Sequence, residues 1–266
     1  MAKAASDPAA PAKPPSPFLA LTELPRALFE LGSLPWAAPL LASAPRGDGH
    51  PVLVLPGFST SDRATAVLRH YLARLGYDVH SWNLGLNLGP RAIGREGEKL
   101  AARVKEIHSA TGRKVSLVGW SLGGMMARVM SRRMPEAVRQ VISLGSPFAG
   151  TPRATNVWRI YELLSGQKID DSVARAQLRE GTTPPPVPST AIWSREDGIV
   201  SWRNCVEPFA ANSDNIEVHG SHCGLAVNPA VLYAIADRLA QPEDDWKPFD
   251  RKGLMRAICY PSAGHN

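Results

Sequence analysis

The residues best suited to chemistry in this sequence are Gly119-Trp120-Ser121-Leu122-Gly123. A serine hydroxyl is a poor nucleophile at neutral pH. It needs a base within hydrogen-bond reach, and the base needs a third group to fix its tautomer. The neighbours of Ser121 suit such a role. Lys114-Val115-Ser116-Leu117-Val118 reads as a buried strand. Gly124 to Met134 reads as a helix stopped by Pro135. A sharp strand-to-helix turn strains the central serine and pushes its hydroxyl into a cleft, at the positive end of the helix. Gly119 and Gly123 let the two backbones approach without Cβ clashes.

The elements that must position such a serine are legible on both sides of it. Pro51-Val52-Leu53-Val54-Leu55 is a continuous apolar run, as expected for a strand buried on both faces of a parallel sheet. A helix follows from about Asp62 to Leu75, with Gly76 as its stop. Tyr77 to Trp82 is the next strand, and Ile93 to His108 reads as one amphipathic helix. Val138 to Leu144, Ala191 to Ser194 and Ile216 to His219 are further strands, and Pro229 to Leu239 is a final helix. Strands alternating with helices imply an α/β fold with a mostly parallel sheet. Phe148 to Ser189 breaks the alternation with helices expected near Val157–Leu164 and Asp171–Arg179 and a Pro184-Pro185-Pro186 run, so it is a candidate cap.

The strand, Gly-x-Ser-x-Gly turn and helix together resemble the nucleophile elbow of the α/β-hydrolase family. Ser143 to Pro152 resembles the stretch that follows the elbow in the family's lipase and esterase branch. The resemblance implies an α/β-hydrolase fold with a small helical cap, and triad partners in the order serine, acid, histidine. Of the seven histidines, four precede the elbow and His265 is next to the chain end. His222 lies in the loop Gly220-Ser221-His222-Cys223-Gly224 before the final helix and is the expected base, with His219 on the last strand as the alternative. The family's acid position, after the strand Ala191–Ser194, is matched by Asp197, with Glu196 adjacent. Asp170, Asp171 and Asp214 read as cap or loop residues. For the oxyanion, the family pattern assigns the backbone amides of Leu122 and, in Pro56-Gly57-Phe58, of Phe58. Trp120 stands where many lipases carry histidine.

Composition narrows the class. The chain has 266 residues, 44% of them hydrophobic and 20% charged, which suits a soluble globular domain with a sizeable core. The net charge of +6 is scattered, with no nucleic-acid arm, and biases the surface weakly toward anionic partners or membrane surfaces. Cys205, Cys223 and Cys259 lack metal-ligand spacing, and Cys205 and Cys223 are expected as thiols unless the protein is exported. Neither a signal peptide nor a membrane span is visible, so a cytoplasmic location is expected.

The expected organisation is an Ala/Pro-rich disordered tail (1–17), an N-terminal surface segment (18–47), the hydrolase domain (48–242) with its cap (about 148–189), and a C-terminal extension (243–266). Within the N-terminal segment, Arg26 to Leu31 reads as a short helix, either a brace on the domain surface or an interfacial segment near the site.

The expected activity is that of a serine carboxylic-ester hydrolase on a small acyl ester or lipid, with Ser121, Asp197 and His222 as triad, an acyl-enzyme intermediate, and no cofactor or metal. An acyltransferase or thioesterase on the same triad and a non-catalytic binding module are the competing expectations.

Overall fold

The computed structural model describes residues 13–149, 155–156, 158–166, 180–208 and 210–261. At the N-terminus three helices follow one another: α1 (Pro17–Leu21), α2 (Glu23–Gly32) and α3 (Ala38–Ala42). The strands are β1 (Pro51–Leu55), β2 (Asp78–Ser81), β3 (Val115–Trp120), β4 (Val138–Leu144), β5 (Ser189–Trp193) and β6 (Ser213–Glu217). Between and after them run α4 (Ala66–Arg74), α5 (Pro90–Ile93), α6 (Glu98–Thr111), α7 (Leu122–Arg133), α8 (Trp158–Ser165), α9 (Pro229–Leu239) and α10 (Leu254–Cys259).

The six strands form one sheet in the order β2-β1-β3-β4-β5-β6, and every pair is parallel. Successive side chains of a strand point to opposite faces, so a central strand covered on both sides is mostly apolar on each of them. Val52 and Val54 accordingly pack on one face with Leu68, Leu72, Val231 and Ile235 of α4 and α9. Leu53 and Leu55 pack on the other with Leu100, Val104, Met126 and Met130 of α6 and α7. Each such fully buried side chain contributes roughly 1.5–3 kcal/mol.

The strand order also decides where a site forms. β1 leads outward to β2, while β3 leads the other way to β4, so the loops leaving β1 and β3 diverge and open a crevice at the sheet's carboxyl edge. The turn after β3 is the one that carries Ser121.

Several elements differ from the sequence reading. The expected helix 93–108 starts only at Glu98 and runs to Thr111, because Gly94 at φ 90° and Gly97 at φ 79° separate it from the short α5, with which the expected span shares Ile93 alone. The helix expected from Asp62 opens with a 3-10 turn, Asp62–Thr65, before α4. β6 begins at Ser213 and ends at Glu217, so His219 lies beyond the strand and Asp214 within it. The helix expected over 26–31 extends to Glu23–Gly32, and α1, α3 and α10 were not anticipated. The second cap helix, Asp171–Arg179, and most of the 1–17 tail lie outside the described residues.

Candidate functional site

Ser121 sits between the last residue of β3 and the first of α7, at φ 53° and ψ −120°. That is a left-handed conformation for a residue with a side chain, and such strain persists only where the surroundings enforce it. Its amide donates to the Leu144 carbonyl at 2.8 Å, which ties the turn to β4. The flanking glycines are required sterically. A Cβ on Gly119 would strike the backbone of Gly123 and Gly124, and one on Gly123 would stand 2.5 Å from the Leu55 carbonyl oxygen. α7 therefore starts almost in contact with β1 and β3, with its free amide end at Ser121.

Asp197 and His222 come together as a buried pair. His222 Nδ1 lies 2.6 Å from Asp197 Oδ2, and both side chains are almost wholly removed from solvent. Asp197 Oδ1 accepts the amides of Ile199 (2.8 Å) and Val200 (2.7 Å), so the carboxylate is held from behind and presents its other oxygen to the ring. An ionised carboxylate only accepts, so the proton between them belongs to Nδ1 and leaves Nε2 with its lone pair. Burial pulls the His222 pKa down. The charge and hydrogen bond of Asp197, with a contribution from Glu23, outweigh it and raise the pKa above the usual histidine value. Gly145, at φ 53°, packs against this pair. A Cβ there would come within 3.1 Å of both Asp197 Oδ2 and His222 Nδ1.

The two alternatives from the sequence, Glu196 and His219, pair with each other instead. Their side chains meet at 2.8 Å on the surface, well exposed, and take no part in the buried constellation. His219 was expected to continue the last strand, and it does not. Asp214 is neither cap nor loop; its carboxylate accepts the Phe249 amide at 2.7 Å.

The loop after β1 is the other wall of the crevice. Gly57 lies against the ring of Trp120, at a distance that leaves a Cβ only 3.1 Å from it. Among the described residues, no protein acceptor takes the amides of Phe58 or Leu122. The Phe58 ring packs on Tyr161 of α8, centroids 5.1 Å apart, so the cap region reaches this loop.

Two positioning residues escaped the sequence reading. Asn87 is fully buried and staples the loop: its Nδ2 donates to the Pro56 carbonyl at 2.7 Å, and its backbone exchanges hydrogen bonds with Ser59 and Thr60 at 2.8 Å each. The Asn- and Gly-rich composition of residues 83–90 was its only signal. Trp120 donates from Nε1 to the carbonyl of His222 at 3.0 Å. The N-terminal segment packs directly on the Asp197 and His222 loops through Glu23 and Glu30, while Leu24, Leu28 and Phe29 of the same helix face outward and are exposed.

A Ser-His-Asp chain of contacts exists at the opposite, amino edge of the sheet. His50 Nε2 meets Ser116 Oγ at 2.8 Å, and His50 Nδ1 meets Asp48. Ser116 and His50 are fully buried, and Ser116 is the second residue of β3, within the strand and with no turn to expose it. This chain is a brace at the amino end of β3, and burial holds His50 below the usual histidine pKa despite Asp48.

The cysteines Cys205, Cys223 and Cys259 are all free thiols. No group of three or more His, Cys, Asp or Glu able to hold a metal occurs among the described residues. Within the same residues no helix is long and apolar enough to cross a membrane. Phe148, Trp193 and Trp202 form core rather than pocket: Phe148 is fully buried under the Arg128 guanidinium, and the two tryptophans stack at 5.1 Å.

A family model described as alpha/beta hydrolase fold matches residues 50–179. Curated triacylglycerol lipases from Pseudarthrobacter phenanthrenivorans and Burkholderia plantarii are each 33% identical over 110 residues, covering 38% of this chain. The match takes in 34% and 30% of those proteins, so the chain spans about a third of the curated relatives it resembles. Among solved structures, Aspergillus fumigatus lipase B aligns over 75% of this chain and 55% of its own, with TM-score 0.54 and 22% identity. A monoacylglycerol lipase from Paleococcus ferrophilus aligns over 73% of this chain and 96% of its own, with TM-score 0.52 and 14% identity. At these identities the structural matches speak to the fold.

Proposed function

Because the chain belongs to the α/β-hydrolase superfamily, we propose that it is a serine carboxylic-ester hydrolase working through Ser121, His222 and Asp197. The observation that carries the reading is the buried 2.6 Å pair of His222 Nδ1 and Asp197 Oδ2, whose histidine carbonyl is held at 3.0 Å by the indole of Trp120, the residue before the strained Ser121 at φ 53°.

The chemistry follows from the proton positions. Asp197 keeps the Nδ1 proton in place, so His222 Nε2 takes the Ser121 proton as Oγ attacks the ester carbonyl. The carbonyl oxygen becomes an oxyanion and is met by the amides of Leu122 and Phe58, which no acceptor takes among the described residues. The tetrahedral adduct collapses, the carbonyl–alkoxide bond breaks, and His222 returns its proton to the leaving alcohol. Water then repeats the sequence on the acyl-serine and frees the acid. The curated relatives' description as triacylglycerol lipases supports an acyl ester or lipid as substrate.

Hydrolysis of a p-nitrophenyl ester series, short to long acyl chains, by wild type and Ser121→Ala tests the reading. Turnover is expected in wild type and a loss of about 10⁴-fold or more in the variant. Competing alcohol or thiol acceptors in the same assay separate hydrolysis from acyl transfer. Absence of both turnover and fluorophosphonate labelling in the wild type would overturn the proposal.

A further inference from the structure

The N-terminal helix α2 holds two carboxylates where solvent does not reach them. Glu23 and Glu30 are seven residues apart, two helical turns, so they share one face. Glu23 Oε1 accepts the amides of Gly198 at 2.7 Å and His222 at 3.1 Å, and its Oε2 accepts that of Cys223 at 2.8 Å. Arg26 Nη2 donates to the same Oε1 at 2.9 Å. Glu30 accepts the Ser221 amide at 2.7 Å and the Asn228 side-chain amide at 3.1 Å.

Burying a carboxylate is costly unless its oxygens are filled with donors. Here the donors are the backbone of the two loops that carry Asp197 and His222. Arg26 adds a contact at 2.8 Å to the carbonyl of Glu196, immediately before Asp197. The backbone of Leu19, next to α2, presses so closely on Gly198 that no Cβ fits there.

Resting on the hydrolase reading above, we infer that Glu23 is a positioning residue for the triad. Its single carboxylate joins the acid-bearing and base-bearing loops, fixes the approach of Asp197 to His222, and places a second negative charge behind the imidazole. Glu30 seats the same base-bearing loop one residue earlier.

The charged groups around His222 are few. Asp197 faces Nδ1 from the loop after β5, Glu23 and Glu30 face the backbone of residues 221–223 from α2, and Arg26 partly offsets Glu23. The nearby thiols are held protonated, Cys205 well above its usual value by burial and Cys223 at about 12 by burial and Glu23. Trp120, on the elbow side, is neutral.

The test is Glu23→Gln, which keeps the shape and removes the charge, read by NMR titration of the His222 ring and by kcat, KM and the pH profile of ester hydrolysis. The imidazole midpoint is expected to fall by about 0.5–1 unit. The acid limb of kcat/KM should move with it, and kcat should drop by about 10-fold or more at little change in KM. A helix that merely braces the surface would lower Tm and leave the midpoint where it is. The proposal is overturned if the His222 midpoint and kcat both stay at wild-type values.

The titration reads the inference even if no ester is turned over, so a failure of the hydrolase reading shows separately, as a wild type that fluorophosphonate does not label. Should Glu23→Gln not fold, Glu23→Asp carries the comparison: the charge stays but the reach shortens. A wild-type titration with kcat about 10-fold lower supports positioning, and an unchanged kcat overturns it.

Discussion

Trp120 and His222, 102 positions apart in sequence, are joined by a hydrogen bond from the indole Nε1 to the histidine carbonyl at 3.0 Å. The residue just before the proposed nucleophile thus carries the backbone of the proposed base. Trp120→Phe keeps an aromatic ring under Gly57 and leaves the carbonyl only the longer bond from the Leu225 amide at 3.4 Å. Stability should fall by about 0.5–1.5 kcal/mol. Ester turnover should fall by about 10-fold, because the histidine loop loses its tether on the serine side. Thermal melts beside kcat for the purified variant measure both, and an unchanged kcat would sink the tether.

Gly145 faces the Asp197–His222 pair at φ 53°, where a methyl group would stand 2.7 Å from Leu225 and 3.1 Å from both triad polar atoms. Gly145→Ala should therefore wedge the pair apart. The left-handed backbone alone costs about 1–2 kcal/mol, while misplacement of the base should lower kcat by about 100-fold. Steady-state kinetics on a protein that still melts cooperatively checks the ratio of the two effects.

If His222 is the base, its raised pKa should set the acid side of the activity profile. The base works only when neutral, so kcat/KM should rise with pH through a midpoint above the ordinary histidine value of about 6.5. The linkage runs the other way for stability. A histidine whose folded pKa is raised stabilises the fold most below its unfolded pKa, and that contribution fades as pH rises through the folded value. A kcat/KM midpoint below about 6 would contradict the Asp197 and Glu23 contacts.

The Asp48-His50-Ser116 chain should be catalytically silent. Ser116→Ala is expected to cost about 1–3 kcal/mol by stranding a buried imidazole nitrogen, with turnover within about twofold of wild type. His50 is held below its usual pKa, so the unfolded chain takes up a proton first as pH falls below about 6.5. Its contribution to stability is therefore present above that pH and is lost on acidification. Fluorophosphonate mass mapping should find the label on Ser121 alone; an adduct on Ser116 would contradict the assignment.

Arg128 and Glu207 form a fully buried ion pair at 2.6 Å, the arginine also donating to the Gly181 carbonyl and stacking on Phe148. Arg128→Ala strands the carboxylate and should destabilise by about 3–5 kcal/mol, whereas Arg128→Met with Glu207→Leu should recover most of the loss. Denaturant melts of the single and double variants decide it.

What the sequence conveyed was local. β1 is an apolar run of strand length and β4 a Val-, Ile- and Leu-framed stretch around Arg139, Gln140 and Ser143, and the bounds of both are those expected; α9 starts at Pro229 and stops where its apolar face stops. The elbow was legible because Gly119, Ser121 and Gly123 are each forced by contacts within a few residues or with the adjacent strand. The break between α5 and α6 was not, because the apolar period runs on through Gly94 and Gly97 while the backbone does not. His219 and His222 differ by three positions, and only the three-dimensional path of the loop sends one to Glu196 and the other to Asp197. Glu30 fell inside the expected helix 26–31 and Glu23 outside it, and neither stood out, since a carboxylate's partners are invisible when they lie 175 to 200 residues away.

That last separation has a consequence for biosynthesis. α2 is made before the loops it holds, since the amides that its carboxylates hold belong to residues 198 and 221–223. At usual translation speeds roughly 10–40 s pass between the two. On the proposed reading, Ser121 therefore waits for a seated base until residues 221–223 reach α2, and a chain cut at residue 48 is expected to leave those loop amides without the Glu23 and Glu30 carboxylates.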